Sequence, residues 1–71
     1  MTALLPDRKT VGMRLKELRG SRTLEEVGAD LKVTGMAVSQ WERGERTPND
    51  EMKVRIANYY KRSVNSIFFR L

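Results

Sequence analysis

An all-α fold of five short helices is the architecture this sequence predicts, and three observations carry that expectation. Apolar residues recur at three- and four-residue spacing, no segment sustains the alternation of a half-buried strand, and each periodic stretch opens on a residue able to cap a helix. The chain has 71 residues, enough for one domain with a small core and near the size where folding alone is marginal. A single domain over 1–71 is therefore expected, with a short N-terminal arm at 1–7.

The first helix starts from Asp7 or Thr10, either of which can cap it, and carries Val11, Leu15 and Leu18 on one face until Gly20 stops it. Thr23 and Glu26 form a T-x-x-E capping box for a second helix over about residues 24 to 31, with Val27 and Leu31 on one face. Lys32-Val33 is a turn. Thr34 caps a third helix that runs to about Arg43 and is closed by Gly44, where a left-handed residue is wanted. After the loop GERTP, Asn49 caps a fourth helix whose inward residues are read as Val54 and Ala57, with Ile56 and Tyr60 as further candidates. Ser63 caps a last short helix carrying Val64, Ile67 and Phe68.

Composition narrows the function. Histidine and cysteine are both absent, which excludes disulfides, thiolate zinc sites, the Ser-His-Asp triad and any imidazole acid–base chemistry. The nine acidic residues mostly sit beside bases at helical spacing, the pattern of a solvated helix face. Neither catalysis nor a cofactor or metal is expected. A formal charge of +5 and a pI near 10.1 point to an anionic partner. The start, MTALLPDRK, has too short an apolar run for a signal peptide and nothing approaches a membrane span, so a soluble, cytoplasmic protein is expected.

Two capped helices of about eight residues joined by a tight turn fit a helix-turn-helix, whose second helix enters the DNA major groove. The stretch TLEEVGADLKVTGMAVSQWERGERTP, Thr23 to Pro48, is similar nearly position by position to the phage-repressor helix-turn-helix family, also called Cro/repressor-like or XRE. RLKELR before it and SVNSIFF after it match that family's first and last helices, so the resemblance spans about Val11 to Phe69. It implies a compact five-helix, lambda-repressor-like domain with its helix-turn-helix at about 23–43, binding double-stranded operator DNA as a homodimer. Three positions depart from the family pattern. Leu24 stands where a phosphate-bonding glutamine is frequent, Lys32 replaces the turn glycine, and the GSR connection is about two residues short.

A helical wheel through the third helix puts Ala37, Val38 and Trp41 on one side and Met36, Gln40 and Arg43 on the other. Gln40 is the only long amide on the outward face and can pair with both N6 and N7 of adenine, while Met36 suits a thymine methyl or a sugar. Gly35 and Ala37 bring almost no hydrogen bonding, so close approach and DNA shape are expected to supply much of the discrimination. Ser39, on the flank, suits a base, a phosphate or water. Arg43, Gly44 and Arg46 are backbone candidates, with Gly44 expected to let main-chain N–H groups approach a phosphate; Thr34 and Arg22 are weaker candidates of the same kind. The resemblance pairs Arg19 with Glu42 as a structural ion pair. Trp41 reads as a core residue whose indole N–H reaches the surface.

The tail SIFFRL holds Ile67, Phe68, Phe69 and Leu71, more apolar surface than one short helix buries, and part of it is read as a dimer seam. The function that follows is sequence-specific transcriptional regulation, as a repressor of prophage or mobile-element type on a palindromic operator. A restriction-modification controller or an antitoxin-type autoregulator would look nearly identical; a helical protein-interaction adaptor is the reading from another class.

Overall fold

Five side chains start five helices. In the computed structural model, which describes residues 7–69, Asp7, Thr23, Thr34, Asn49 and Ser63 each hold an extended backbone and accept a hydrogen bond from the N–H three residues on. They open α1 (Arg8–Arg19), α2 (Leu24–Leu31), α3 (Gly35–Glu42), α4 (Asp50–Tyr60) and α5 (Val64–Phe68), with no strand among the described residues. Of the two caps expected for α1, Asp7 serves, and the Thr10 N–H is the donor that it accepts. At Thr23 the capping box closes in both directions, at 3.0 and 2.7 Å. The rest of the expected arm, residues 1–6, lies outside the described residues, as does Leu71.

Helices this short are marginal alone in water, so packing must hold them. Each contributes to one core, built from Leu15, Val27, Leu31, Val38, Trp41, Ile56, Ala57, Ile67 and Phe68. Val27, Ile56 and Ile67 are fully enclosed, each worth roughly 1.5–3 kcal/mol of burial. Helix α3 packs against both α1 and α2, while α5 docks on α4 and α1. Among the described residues no helix is long and apolar enough to cross a membrane.

Two expectations need correction. Val54 is 50% exposed, because the buried stripe of α4 runs through Lys53, Ile56, Ala57 and Tyr60 and Val54 lies roughly 100° round the helix from its centre. Lys53 takes the inner place with its aliphatic stem, and its ammonium emerges beside Phe68 and Phe69. The surplus of apolar surface at the C-terminus is also smaller than expected. Ile67 and Phe68 are 1% and 5% exposed inside this chain's own core, so neither offers a seam to a second copy, and of the described candidates Phe69 stays half-buried.

The turn between α2 and α3 depends on an absent side chain. A Cβ at Gly28 would stand 2.8 Å from the Val33 carbonyl oxygen and 2.9 Å from the Thr34 carbonyl carbon, both backbone atoms that cannot swing aside. With hydrogen there instead, the Val33 N–H reaches the Gly28 carbonyl at 2.8 Å and the chain doubles back within three residues. Lys32 takes the left-handed conformation, φ 63° and ψ 42°, at a strain of about 1 kcal/mol for a residue with a Cβ.

Candidate nucleic-acid interface

The outward edge of α3 follows from which of its residues the core claims. Val38 and Trp41 are buried, and Ala37 is half-buried against the same core. One turn apart on the other side, Met36 is 64% exposed, Gln40 half-exposed and Arg43 exposed. Gly35 and Ser39 flank this edge, each half-buried. Met36, Gln40 and Arg43 therefore share one face with small residues beside them, and that face can approach a flat or grooved partner closely.

Helix α3 ends at Glu42, with Arg43 as its C-cap and Gly44 left-handed at φ 75°. Three amides of this loop are already engaged: Gly44 N–H donates to the Trp41 carbonyl, and the N–H groups of Glu45 and Arg46 both donate to the Gln40 carbonyl, at 2.9 and 3.3 Å. The expectation that Gly44 frees main-chain donors for an anion is corrected accordingly. Closing the helix against its own orphan carbonyls uses those three donors, and the loop also presents charged side chains. Arg46 is exposed, and Arg43 is exposed but shares its charge with Glu45 at 3.3 Å.

Thr34 Oγ accepts from the Ala37 N–H at 3.0 Å, leaving its hydroxyl hydrogen available to an acceptor outside. Arg22 is placed differently from a simple backbone donor. Its guanidinium lies 5.3 and 5.6 Å from the ring centroids of Tyr59 and Tyr60, on the α4 side of the molecule.

Behind the exposed face, Arg19 grips Glu42 through two parallel bonds, Nε to Oε2 at 2.7 Å and Nη2 to Oε1 at 3.0 Å. Its Nη1 also donates to the Arg22 carbonyl at 2.6 Å. The side chains are 17% and 5% exposed, so the carboxylate is turned inward and neutralised rather than presented beside α3. The hydrogen bond to Glu42 raises the Arg19 pKa above its ordinary value. Tyr60 is pushed up to about 12, first by burial and then by the nearby Glu42 charge.

Several positioning residues carried no sequence signal, since each acts across the fold. Arg14 of α1 donates to the carbonyls of Ile67 and Phe69 at 2.9 and 3.1 Å, tying the end of α5 to α1. Arg55 of α4 donates to the Leu31 carbonyl at the end of α2, and the Tyr59 hydroxyl donates to Asp30 at 2.7 Å. Cations at helix C-termini meet the negative end of the helix dipole, but nothing in a sequence says which distant helix will supply them.

Residues 15–67 match the family described as helix-turn-helix. Among solved structures, the chain is similar to the P22 c2 repressor protein, crystallised in complex with the synthetic operator 9T in the presence of Tl+. That likeness has a TM-score of 0.77 at 26% identity over 93% of this chain and 94% of that one. It also resembles the DNA-binding domain of BldD, with a TM-score of 0.72 at 22% identity over 86% and 92% of the two chains. The clp gene regulator ClgR from C. glutamicum gives a TM-score of 0.73 at 24% identity over 84% and 80%. No curated protein matches the chain by sequence.

Proposed function

We propose, from the premise that this chain belongs to the helix-turn-helix family of XRE type, that it is a cytoplasmic, non-enzymatic repressor of prophage or mobile-element kind. Its partner is double-stranded DNA, which it binds as a homodimer on a palindromic operator, and its mechanism is occlusion of a promoter. The observation that carries this reading is the division of α3 into a buried side, Val38 and Trp41, and an outward edge of Met36, Gln40 and Arg43 flanked by Gly35, Ala37 and Ser39. The likeness to a repressor crystallised on an operator supports it.

In this reading α3 lies in the major groove with base contacts divided by chemistry. Gln40 pairs with an adenine edge, Met36 meets a thymine methyl, and Gly35, Ala37 and Ser39 allow the close approach. Arg43, Arg46 and Thr34 bind phosphates by side chain and set the register on the duplex, while Arg22, held over Tyr59 and Tyr60, is not needed for it. Gly44 serves by turning the loop, since its N–H is engaged. Two copies related by a twofold axis would place their α3 helices about 34 Å apart, one DNA turn. Phe69, with Leu71 beyond the described residues, is what remains of the C-terminal surface for that pairing.

Selection from random duplexes, with sequencing of the retained fraction, tests the function. A palindromic motif is the expected result. Retention without any sequence preference, or no retention at all, would refute the reading.

A further inference from the structure

Beside the loop that follows α3 lies a cleft of about 210 Å3 whose described lining combines aromatic side chains with cations. Val11, Trp41, Pro48, Phe68 and Phe69 supply the apolar lining, with Trp41 and Phe68 themselves 9% and 5% exposed, and among the described residues Arg8, Arg46 and Lys53 are its charged lining residues. The Lys53 side chain is 21% exposed, with its ammonium 5.8 Å from the ring centroids of both Phe68 and Phe69. Among the described residues two acids lie near this group. Asp50 lies 3.7 Å from Lys53 with its side chain fully in solvent, and Glu45 is half exposed and directed to Arg43. Among the described residues Arg8 reaches the Glu45 carbonyl, at 3.4 Å.

The geometry points to this cleft as a binding site for a small carboxylic acid with one aromatic ring. An inorganic anion would answer the cations but cover none of the apolar wall that Phe69 leaves open, while a neutral hydrocarbon would cover that wall and bring no charge to Arg8, Arg46 and Lys53. A ligand carrying a ring and one carboxylate does both, and the volume, below that of a drug-sized site, admits a single ring. A DNA phosphate can reach Arg46 but brings nothing to seat against Trp41 and Phe68. Arg46 is also a backbone candidate in the proposed function, so on that reading the bound acid competes with DNA for this side chain.

Trp41 is the only tryptophan and stands in the wall, which makes its fluorescence a direct reporter. The probe is phenylacetate, compared with acetate and with neutral phenylacetamide, titrated into the full chain without DNA. Expected is a saturable change with phenylacetate, at least about tenfold weaker with phenylacetamide and absent with acetate, since one charge-assisted contact is worth roughly a factor of ten. Lys53→Gln and, separately, Arg8→Gln should each weaken phenylacetate by a similar factor while keeping the wild-type circular dichroism spectrum. A linear response that is the same for all three compounds, or a Kd unchanged in both variants, overturns the site. A second titration measures duplex affinity with and without saturating phenylacetate. Weaker duplex binding supports the competition, and an unchanged affinity overturns it. A protein that binds phenylacetate saturably but no duplex would overturn the proposed function and leave the site standing.

Discussion

Truncating Arg19 should be among the most damaging single changes available in this domain. The substitution Arg19→Ala removes two charge-assisted bonds to Glu42, at 2.7 and 3.0 Å, and the bond to the Arg22 carbonyl. It also strands a carboxylate that is only 5% exposed. Breaking a buried pair from one side typically costs 3–5 kcal/mol, and the 17% exposure of Arg19 admits some water, which sets the expectation at the lower end, about 3 kcal/mol. An exposed pair would contribute about 0–1 kcal/mol. For a domain of this size each kcal/mol moves the midpoint roughly 4–8 °C, so Tm should fall by about 15 °C. The loss is a large part of a total stability of about 4–10 kcal/mol. Urea unfolding followed by circular dichroism and Trp41 fluorescence measures it. The double variant Arg19→Met with Glu42→Leu isolates the stranded charge from the pair itself, and should recover most of the loss because apolar isosteres remove both desolvation costs together. A Tm within about 3 °C of wild type in Arg19→Ala, or a double variant no better than the single one, would refute the argument.

Other outcomes follow from the same structure. Gln40→Ala removes the only long amide of the α3 edge without touching the Gln40 carbonyl that holds the loop, so it should cost about 1–3 kcal/mol on the preferred operator and almost nothing on random DNA. Arg46→Ala should do the opposite, weakening all duplexes alike and lowering the slope of log K against log salt by about 0.9 for each phosphate no longer neutralised; parallel behaviour of the two variants would contradict this division. Gly28→Ala sets a helix-propensity gain of about 1 kcal/mol against a Cβ 2.8 Å from a backbone oxygen, and the clash should win, giving a net loss of at least about 1 kcal/mol in urea unfolding. The folded pKa of Tyr60, about 12, lies above an unfolded value near 10, so the unfolded chain gives up that proton first. Stability from this group is intact below pH 10 and is lost as pH rises toward 12, and Tyr60→Phe should flatten that limb in alkaline unfolding curves.

What the sequence by itself determined is what local chemistry controls. A capping side chain bonds an N–H three residues away, so Thr23, Thr34, Asn49 and Ser63 announced their helices without help from the rest of the fold, and the second helix fell on residues 24–31 as expected. The outward edge of α3 was legible for a similar reason, since a short amphipathic helix can bury only one side. The pairing of Arg19 with Glu42 was available through family resemblance, not through spacing, because 23 residues separate them.

Tertiary structure decided whatever depends on a distant surface. Val54 and Lys53 differ by one position, and it is Lys53 that the fold turns inward, with its ammonium 5.8 Å from the Phe68 and Phe69 rings that α5 brings beside it. Ile67 and Phe68 looked like surplus apolar surface because a five-residue helix cannot bury them alone; α1 and α4 supply the walls that do. The engagement of the Gly44, Glu45 and Arg46 amides could not be read from GERTP, since an amide's partner depends on where the preceding helix leaves its last carbonyls. Even Gly28, an unremarkable helical position in sequence, is fixed by a backbone that returns from the turn and comes too close for any side chain. Caps and periodicity act within one helical turn, whereas burial and close approach are set by chain segments that only the finished fold brings together.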